Sequence, residues 1–134
     1  DGQTALVGAD GSGAFVFTGS GGEWTQQVLL TDPSAYLGFG NSIALSADGK
    51  TALIEDGFTF TRTDDVWASD ERLLADDNPL GFGSAVALSG DASIALIGAN
   101  YATIGTNQKQ GAAYFFTTTS SGPQTSIFLP LLVR

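Results

Sequence analysis

The sequence contains no cysteine, no histidine and no methionine. Without cysteine no disulfide can form, and without cysteine and histidine the usual nucleophile–base pairs and zinc ligand sets are excluded. The lack of methionine indicates that the chain begins after a cleavage or a truncation. We therefore expect either a processed, secreted protein or a fragment of a longer one.

Basic residues are also scarce, with five Lys and Arg against fourteen Asp and Glu, for a net charge of −9. A chain with many acidic and few basic residues binds phosphate backbones and anionic membranes poorly, because these are bound by clustered Lys and Arg. The longest apolar run, Ile127–Val133, is far shorter than the roughly 20 residues of a membrane-spanning helix. We expect no nucleic-acid partner and no membrane insertion.

What the sequence does contain is typical of short strands joined by turns. Of 134 residues, 43% are hydrophobic, 14% are charged and 18 are glycine. The chain is too apolar for disorder and too poor in charge for long solvated helices. This composition predicts an all-β domain.

An internal repeat organises the chain. Gly38–Gly40 recurs at Gly81–Gly83, and each copy is followed by an apolar run that ends in serine. A turn followed by a strand occurs three times, at 1–7, 48–54 and 91–97. An aromatic strand also occurs three times, at 14–17, 58–60 and 113–116. The main offset is 43 positions, as from Trp24 to Trp67. Four strands in about 43 residues is the size of a propeller blade.

These motifs together resemble the FG-GAP repeat family, the integrin-like β-propeller repeats of bacterial surface and secreted proteins. The resemblance covers roughly residues 1–117, and the second unit departs from it with Glu55-Asp56 where the others have Gly8-Ala9 and Gly98-Ala99. It implies a propeller architecture, an extracellular or cell-surface location, and adhesion or recognition more often than catalysis.

The fold class that we predict is all-β, with propeller-like blades of four antiparallel strands. About three repeats, with units that start near residues 1, 41 and 84, fill residues 1–117. The first blade lacks its first strand, and the third lacks its Trp-containing fourth strand. Residues 118–125 read as a linker of Thr, Ser, Gly and Pro, and residues 126–134 as a C-terminal apolar strand.

The C-terminal apolar segment needs a burial site, because in solvent it would promote aggregation. It comprises Ser126, Ile127, Phe128, Leu129, Pro130, Leu131, Leu132 and Val133. One interpretation makes it the fourth strand of its own blade. The other makes it an inter-subunit strand, the missing first strand of a neighbouring copy, since Ser126–Leu129 matches the pattern of Ser42–Leu45. Three blades are too few for a closed ring, which favours a homo-oligomer or filament.

The acidic residues do not predict an active site. Most of them lie beside Gly, Ser, Asn or Pro, where aspartate stabilises turns, so we expect no catalytic residues and no enzyme. Integrin FG-GAP repeats carry an Asp-x-Asp-x-Asp-Gly calcium loop, which no segment of this chain matches. Asp10, Asp76 and Asp77 are weak metal candidates, so we expect no cofactor, with calcium as the alternative.

Aromatic and hydroxyl residues give the last candidates. The recurrence of Trp24 and Trp67 at one repeat position predicts packing between blades, with sugar stacking as the alternative, and Phe39 and Phe82 read as wedges at a close backbone approach. Two roles suit the hydroxyl residues near the C-terminus: they could carry O-linked sugar or form a plain polar tether. These residues are Thr117, Thr118, Thr119, Ser120 and Ser121. The alternative function is that of a fragment of a larger surface propeller that binds a protein or glycan ligand.

Overall fold

The computed structural model describes residues 1–34 and 38–117. The predicted linker at 118–125, the predicted C-terminal strand at 126–134 and the hydroxyl residues Thr118–Ser121 lie outside the described residues. In the described residues ten strands form three antiparallel sheets, which we call the first, middle and third sheets.

The first sheet holds three strands in the order β1-β2-β3. These are β1 (Thr4–Ala9), β2 (Gly13–Ser20) and β3 (Glu23–Leu30). Tight turns containing glycine join them, and a register shift follows Val16 of β2. Among the described residues this blade has no first strand, as predicted, because the sheet begins with the strand that follows the Asp1-Gly2 turn.

The middle sheet is the complete blade, with four strands in the order β4-β5-β6-β7. These are β4 (Ile43–Leu45), β5 (Thr51–Ile54), β6 (Phe58–Thr63) and β7 (Val66–Ser69). A 3₁₀ turn, Glu55–Gly57, joins β5 to β6 at the place where the sequence departs from the repeat pattern. The departure is therefore a shortened hairpin connection, and the strand pairing on either side is kept.

The third sheet holds β8 (Phe82–Leu88), β9 (Ile94–Ala99) and β10 (Ala112–Thr117). Its strand order is β10-β9-β8, equivalent to the first three strands of the middle sheet. The long connection from Asn100 to Gly111 contains one isolated bridge between Ile104 and Asn107. The predicted all-β fold of propeller-like blades, with about three repeats and an incomplete first blade, is confirmed.

The sheets are stacked face to face, with one apolar cluster in each gap. Between the first and middle sheets the buried residues are Ala14, Val16, Leu30, Phe39, Ala52, Ile54, Phe58 and Phe60. Between the middle and third sheets they are Leu53, Leu73, Ala95, Ile97, Ala99, Ala102, Tyr114 and Phe116. Because side chains alternate between the two faces of a strand, the middle sheet supplies Ile54 to one cluster and Leu53 to the other.

Candidate functional site

The Asp-Gly turns and their equivalents account for three of the aspartates. Asp48 accepts hydrogen bonds from the Ser46 hydroxyl at 2.6 Å and from the Lys50 amide at 3.0 Å. Asp91 accepts from the Ser89 hydroxyl at 2.7 Å and from the Ser93 amide at 3.0 Å. Asp1 accepts from the amide of Thr4 in the same way. These side chains hold three separate turns.

The serines of the same turns lower the pKa of both aspartates. The hydrogen bond from Ser89, supported by those from Ser93, lowers the pKa of Asp91 to about 2. The hydrogen bond from Ser46 and that from the Lys50 amide lower the pKa of Asp48. Both carboxylates are therefore ionised at neutral pH, as hydrogen-bond acceptors within their turns.

The weak metal candidates are not brought together. Asp10, Asp76 and Asp77 are exposed. Asp77 accepts a hydrogen bond from the Tyr114 hydroxyl at 2.9 Å, and burial together with this bond raises the pKa of Tyr114 to about 12. Within residues 1–34 and 38–117, no group of three or more acidic side chains could hold a metal ion.

The shortened turn of the middle sheet contains a buried aspartate with a cationic partner. Asp56 is 5% exposed and adopts a left-handed φ of 63°. Its backbone carbonyl accepts from Nε of Arg72 at 2.7 Å, and its carboxylate Oδ2 lies 3.9 Å from Nη2 of the same arginine. The guanidinium also lies 4.3 Å from the centroid of the Phe58 ring. Arg72 thus fastens the segment after β7 to this turn.

The Phe-Gly motifs lie at the junctions between sheets. A Cβ atom on Gly40 would lie 2.2 Å from the Gly13 carbonyl oxygen of the first sheet, and one on Gly83 would lie 2.1 Å from the Asp56 amide nitrogen of the middle sheet. Both glycines have φ values, +103° and +90°, that disfavour any side chain. Each motif therefore lets one blade approach the backbone of the blade before it.

The phenylalanines of these motifs pack on the aromatic residues of their own sheets. Phe39 is 3% exposed and lies edge-on to Phe58, with ring centroids 5.0 Å apart. Phe82 contacts Tyr114 and Phe116, with centroid separations of 5.6 and 6.2 Å. Both residues were expected to be wedges at a close backbone approach, and these are the ring contacts that they make.

The two repeat tryptophans differ in their surroundings. Trp67 packs against the cluster between the first and middle sheets, and the guanidinium of Arg62 lies 6.0 Å from its ring. Trp24 occupies the equivalent position in the first sheet but is 50% exposed. The packing expected of both is present at Trp67, whereas Trp24 has no preceding sheet to pack against in the described residues.

Trp24 belongs to an uncovered apolar surface that we call the front face. The front face consists of Ala5, Val7, Phe15, Phe17 and Trp24, which the pairing of β1, β2 and β3 places on one side of the first sheet. Val7 is 49% exposed, and Ala5, Phe15 and Phe17 are only half-buried. This is the side of the sheet that faces away from the middle sheet.

The equivalent faces of the other two sheets are fully covered. Val7 pairs with Phe15 in the way that Ile54 pairs with Phe58 and Ile97 with Tyr114. Ile54 and Ile97 are both 0% exposed, against 49% for Val7. The same repeat position is therefore a core position in two blades and a surface position in the first.

The first sheet also has an unpaired edge. β1 corresponds to β5 and β9, which pair with β4 and β8, but in the part of the chain that the structure describes no strand pairs with the outer edge of β1. Unpaired strand edges present a row of backbone donors and acceptors to other strands. An apolar face and an open edge thus occur together at this end of the stack.

The comparison with protein families agrees with this geometry. Residues 67–116 match the model of the FG-GAP repeat. Residues 67–116 are similar to an FG-GAP repeat. The FG-GAP match runs from Trp67 in β7 to Phe116 in β10, so it takes in the last strand of the middle sheet and all three strands of the third. The resemblance found in the sequence is thereby confirmed for residues 67–116.

FG-GAP repeats are typical of extracellular or surface proteins. No curated protein matches the chain significantly. Across residues 1–34 and 38–117 the structure contains no helix long and apolar enough to cross a membrane.

Sequence reasoning missed two features of the stack of sheets. The front face was not identified, although the repeat alignment together with the missing first strand could have indicated that Val7 has no covering blade. The Asp56–Arg72 pair was not identified either, because it joins residues from two connections and no local pattern marks it.

Proposed function

We propose that the chain is a non-enzymatic, extracellular structural protein that self-assembles head-to-tail by donating its C-terminal strand to a neighbouring copy. The observation that carries this proposal is the open edge of β1 beside the uncovered front face. A strand that added to this edge would complete the first sheet to the four strands of the middle sheet.

The sequence supplies a suitable donor strand. Ser126–Leu129 matches the pattern of Ser42–Leu45, the segment that contains β4. β4 is the first strand of the middle sheet, and the described part of the first sheet has no equivalent of it. A donated strand gains main-chain hydrogen bonds from the edge and buries alternate side chains. The eight residues 118–125 can extend at most about 26 Å, which allows the donor strand to reach beyond its own blade.

The proposed assembly follows from the geometry of one-way donation. The donor segment and the acceptor edge are different parts of the chain, so each contact is heterologous and leads to a closed ring or a helical filament. Two copies would bring six blades together, within the range of about four to eight blades found in propellers.

The second candidate is a fragment of a larger surface propeller that binds a protein or glycan. A groove of about 420 Å³ between the middle and third sheets favours it. Its lining residues include Thr51, Thr59, Thr61, Asp70 and Phe116. Hydroxyls and a carboxylate beside an aromatic ring suit a hydroxyl-rich ligand such as a glycan.

Truncation tests strand donation directly. We expect a chain that ends at Thr117 to remain a single copy, because it keeps the acceptor edge and lacks the donor. The full chain should sediment as larger particles under the same conditions. A matched full-length variant, Ile127→Asp, should behave as the truncated chain does, because a charge is costly on a strand that must be buried.

The outcomes separate the two candidates. If the truncated chain assembles as the full chain does, strand donation is wrong. A parent gene that encodes further repeats on either side, together with a full chain that stays single, would support the fragment instead.

A further inference from the structure

The two internal junctions of the stack follow one rule. The face of the first sheet that meets the middle sheet presents Leu6, Val16 and Val28, and these contact the cluster that contains Ile54. The middle sheet presents Leu53 and Ala44 to the third sheet in the same way. We call the opposite side of each sheet its rear face. At both junctions the front face of one sheet is thus covered by the rear face of the sheet before it.

The rear face of the third sheet is not covered by another sheet within the described residues. Leu96, at the repeat position of Leu6 and Leu53, pairs with Phe115 and Ala87 on this side. Ile94 is 42% exposed, Ala87 is exposed, and Leu96 and Phe115 are half-buried, whereas Leu53 in the middle sheet is 0% exposed. This uncovered rear face comprises Ala85, Ala87, Ile94, Leu96, Ala113 and Phe115.

The stack therefore ends in two complementary surfaces. At the two internal junctions, the front face of one sheet is covered by the rear face of the sheet before it. The first sheet has a front face without such a cover, and the third sheet has a rear face that covers no further sheet. Both are apolar, although the chain has a net charge of −9 and its charged residues are largely acidic. Extended uncovered apolar patches on such a chain mark interaction surfaces.

We propose that the rear face of the third sheet of one copy packs on the front face of the first sheet of the next copy. This inference rests on the proposed head-to-tail association and adds to it a sheet-on-sheet contact that forms together with the donated strand, so that stable association needs both. The contact continues the junctions inside the chain, with Val7 in the place of Ile54 and Leu96 in the place of Leu53. Hydrophobic burial stabilises it, as it stabilises the two internal clusters.

Backbone hydrogen bonds between successive turns fix the register of the internal junctions. The Asp1 amino group donates to the Ala47 carbonyl, and the Ala47 amide donates to the Gly90 carbonyl at 2.8 Å. The Val86 amide donates to the Ser42 hydroxyl oxygen at 2.8 Å at the other end of the middle and third sheets. A copy that follows the same rule would bring its Asp1-Gly2 turn beside the Ser89–Asp91 turn of the copy before it.

Two single substitutions test the contact from its two sides. Val7→Asp places a charge on the front face and Ile94→Asp places one on the rear face, at residues that are 49% and 42% exposed, so both variants should fold. We expect each variant alone to associate roughly 100-fold more weakly or worse, because the contact would bury an unpaired carboxylate. The matched controls Val66→Asp and Leu80→Asp, at residues 68% and 67% exposed and outside both faces, should assemble as the parent does.

Mixing the variants tests the direction of the contact. Val7→Asp keeps an intact rear face and Ile94→Asp keeps an intact front face, so their mixture should form pairs of one copy of each. Sedimentation velocity would show a discrete two-copy species in the mixture, while each variant alone stays single. Circular dichroism of each variant checks that the fold is retained.

The possible outcomes distinguish this inference from strand donation. If the two variants assemble as the controls do while the chain ending at Thr117 stays single, the face contact is wrong and strand donation stands. If the truncated chain still associates and Val7→Asp abolishes that association, the face contact stands and strand donation is wrong. If the full chain is a single copy at every concentration, both are wrong, and the two faces belong to further repeats or to residues 118–134 of the same chain.

Discussion

At the residue scale, the close approaches of Gly40 and Gly83 explain why the Phe-Gly motif recurs in the sequence. Gly83 lies where the third sheet meets the Asp56 turn of the middle sheet, and its φ is +90°. The close approach leaves no room for a side chain, and the left-handed backbone disfavours one independently. The motif is therefore a requirement of blade stacking and carries no chemistry.

Gly83→Ala should lower the free energy of unfolding by about 3 kcal/mol, because the new Cβ would collide with the Asp56 amide and force the blades apart. Gly105→Ala is the control, since Gly105 also has a positive φ of +60° but has nothing within 4 Å of the added atom. The control should lose only about 1 kcal/mol of backbone strain. Urea denaturation measures both, and equal losses would contradict the close-approach account.

At the element scale, the hairpin turns between the first two strands of the middle and third sheets are each held by a serine and an aspartate. In the third sheet the Ser89 hydroxyl donates to Asp91 and accepts from the Ile94 amide at 2.9 Å. In the middle sheet Ser46 accepts from the Thr51 amide at the same distance, 2.9 Å. The first blade lacks this serine in the described residues, where Thr4 donates to Asp1 instead.

Asp91→Asn should make the stability of the protein less sensitive to acid. The pKa of Asp91 is about 2 in the folded state, below its value of about 3.9 in an unfolded chain. The ionised side chain therefore stabilises the fold above about pH 4, and this contribution is lost as the pH falls towards 2. Thermal unfolding between pH 7 and pH 2 should show the variant less stable at neutral pH and the two proteins converging near pH 2. Parallel curves would refute the role given to this turn.

The sequence predicted the elements well and their environments less well. The repeat offset and the Asp-Gly turns sufficed to predict sheets of three, four and three strands, because alternating apolar residues and turn residues are local signals. The different exposures of Val7 and Ile54 were not predicted, because two residues with the same local pattern differ only in whether a sheet precedes them. The Arg72 contacts with Asp56 and Phe58 depend on chain packing and carry no periodic signal.

At the scale of the whole molecule, the stack formed by residues 1–34 and 38–117 is open at both ends. Three sheets bury two apolar clusters, and the first and third sheets each keep one apolar face outside. Copies with a net charge of −9 repel one another, and this repulsion is screened over about 8 Å at physiological ionic strength. Association should therefore be studied near that ionic strength, where the apolar faces act against weakened repulsion.

The particle size and shape of the full chain at physiological ionic strength test the central claim most directly. Electron microscopy, with sedimentation velocity on the same material, should show rings or filaments built from a repeating unit of 13.7 kDa. A compact single copy of that mass at every concentration, with Val7 and Trp24 protected from solvent, would contradict head-to-tail assembly.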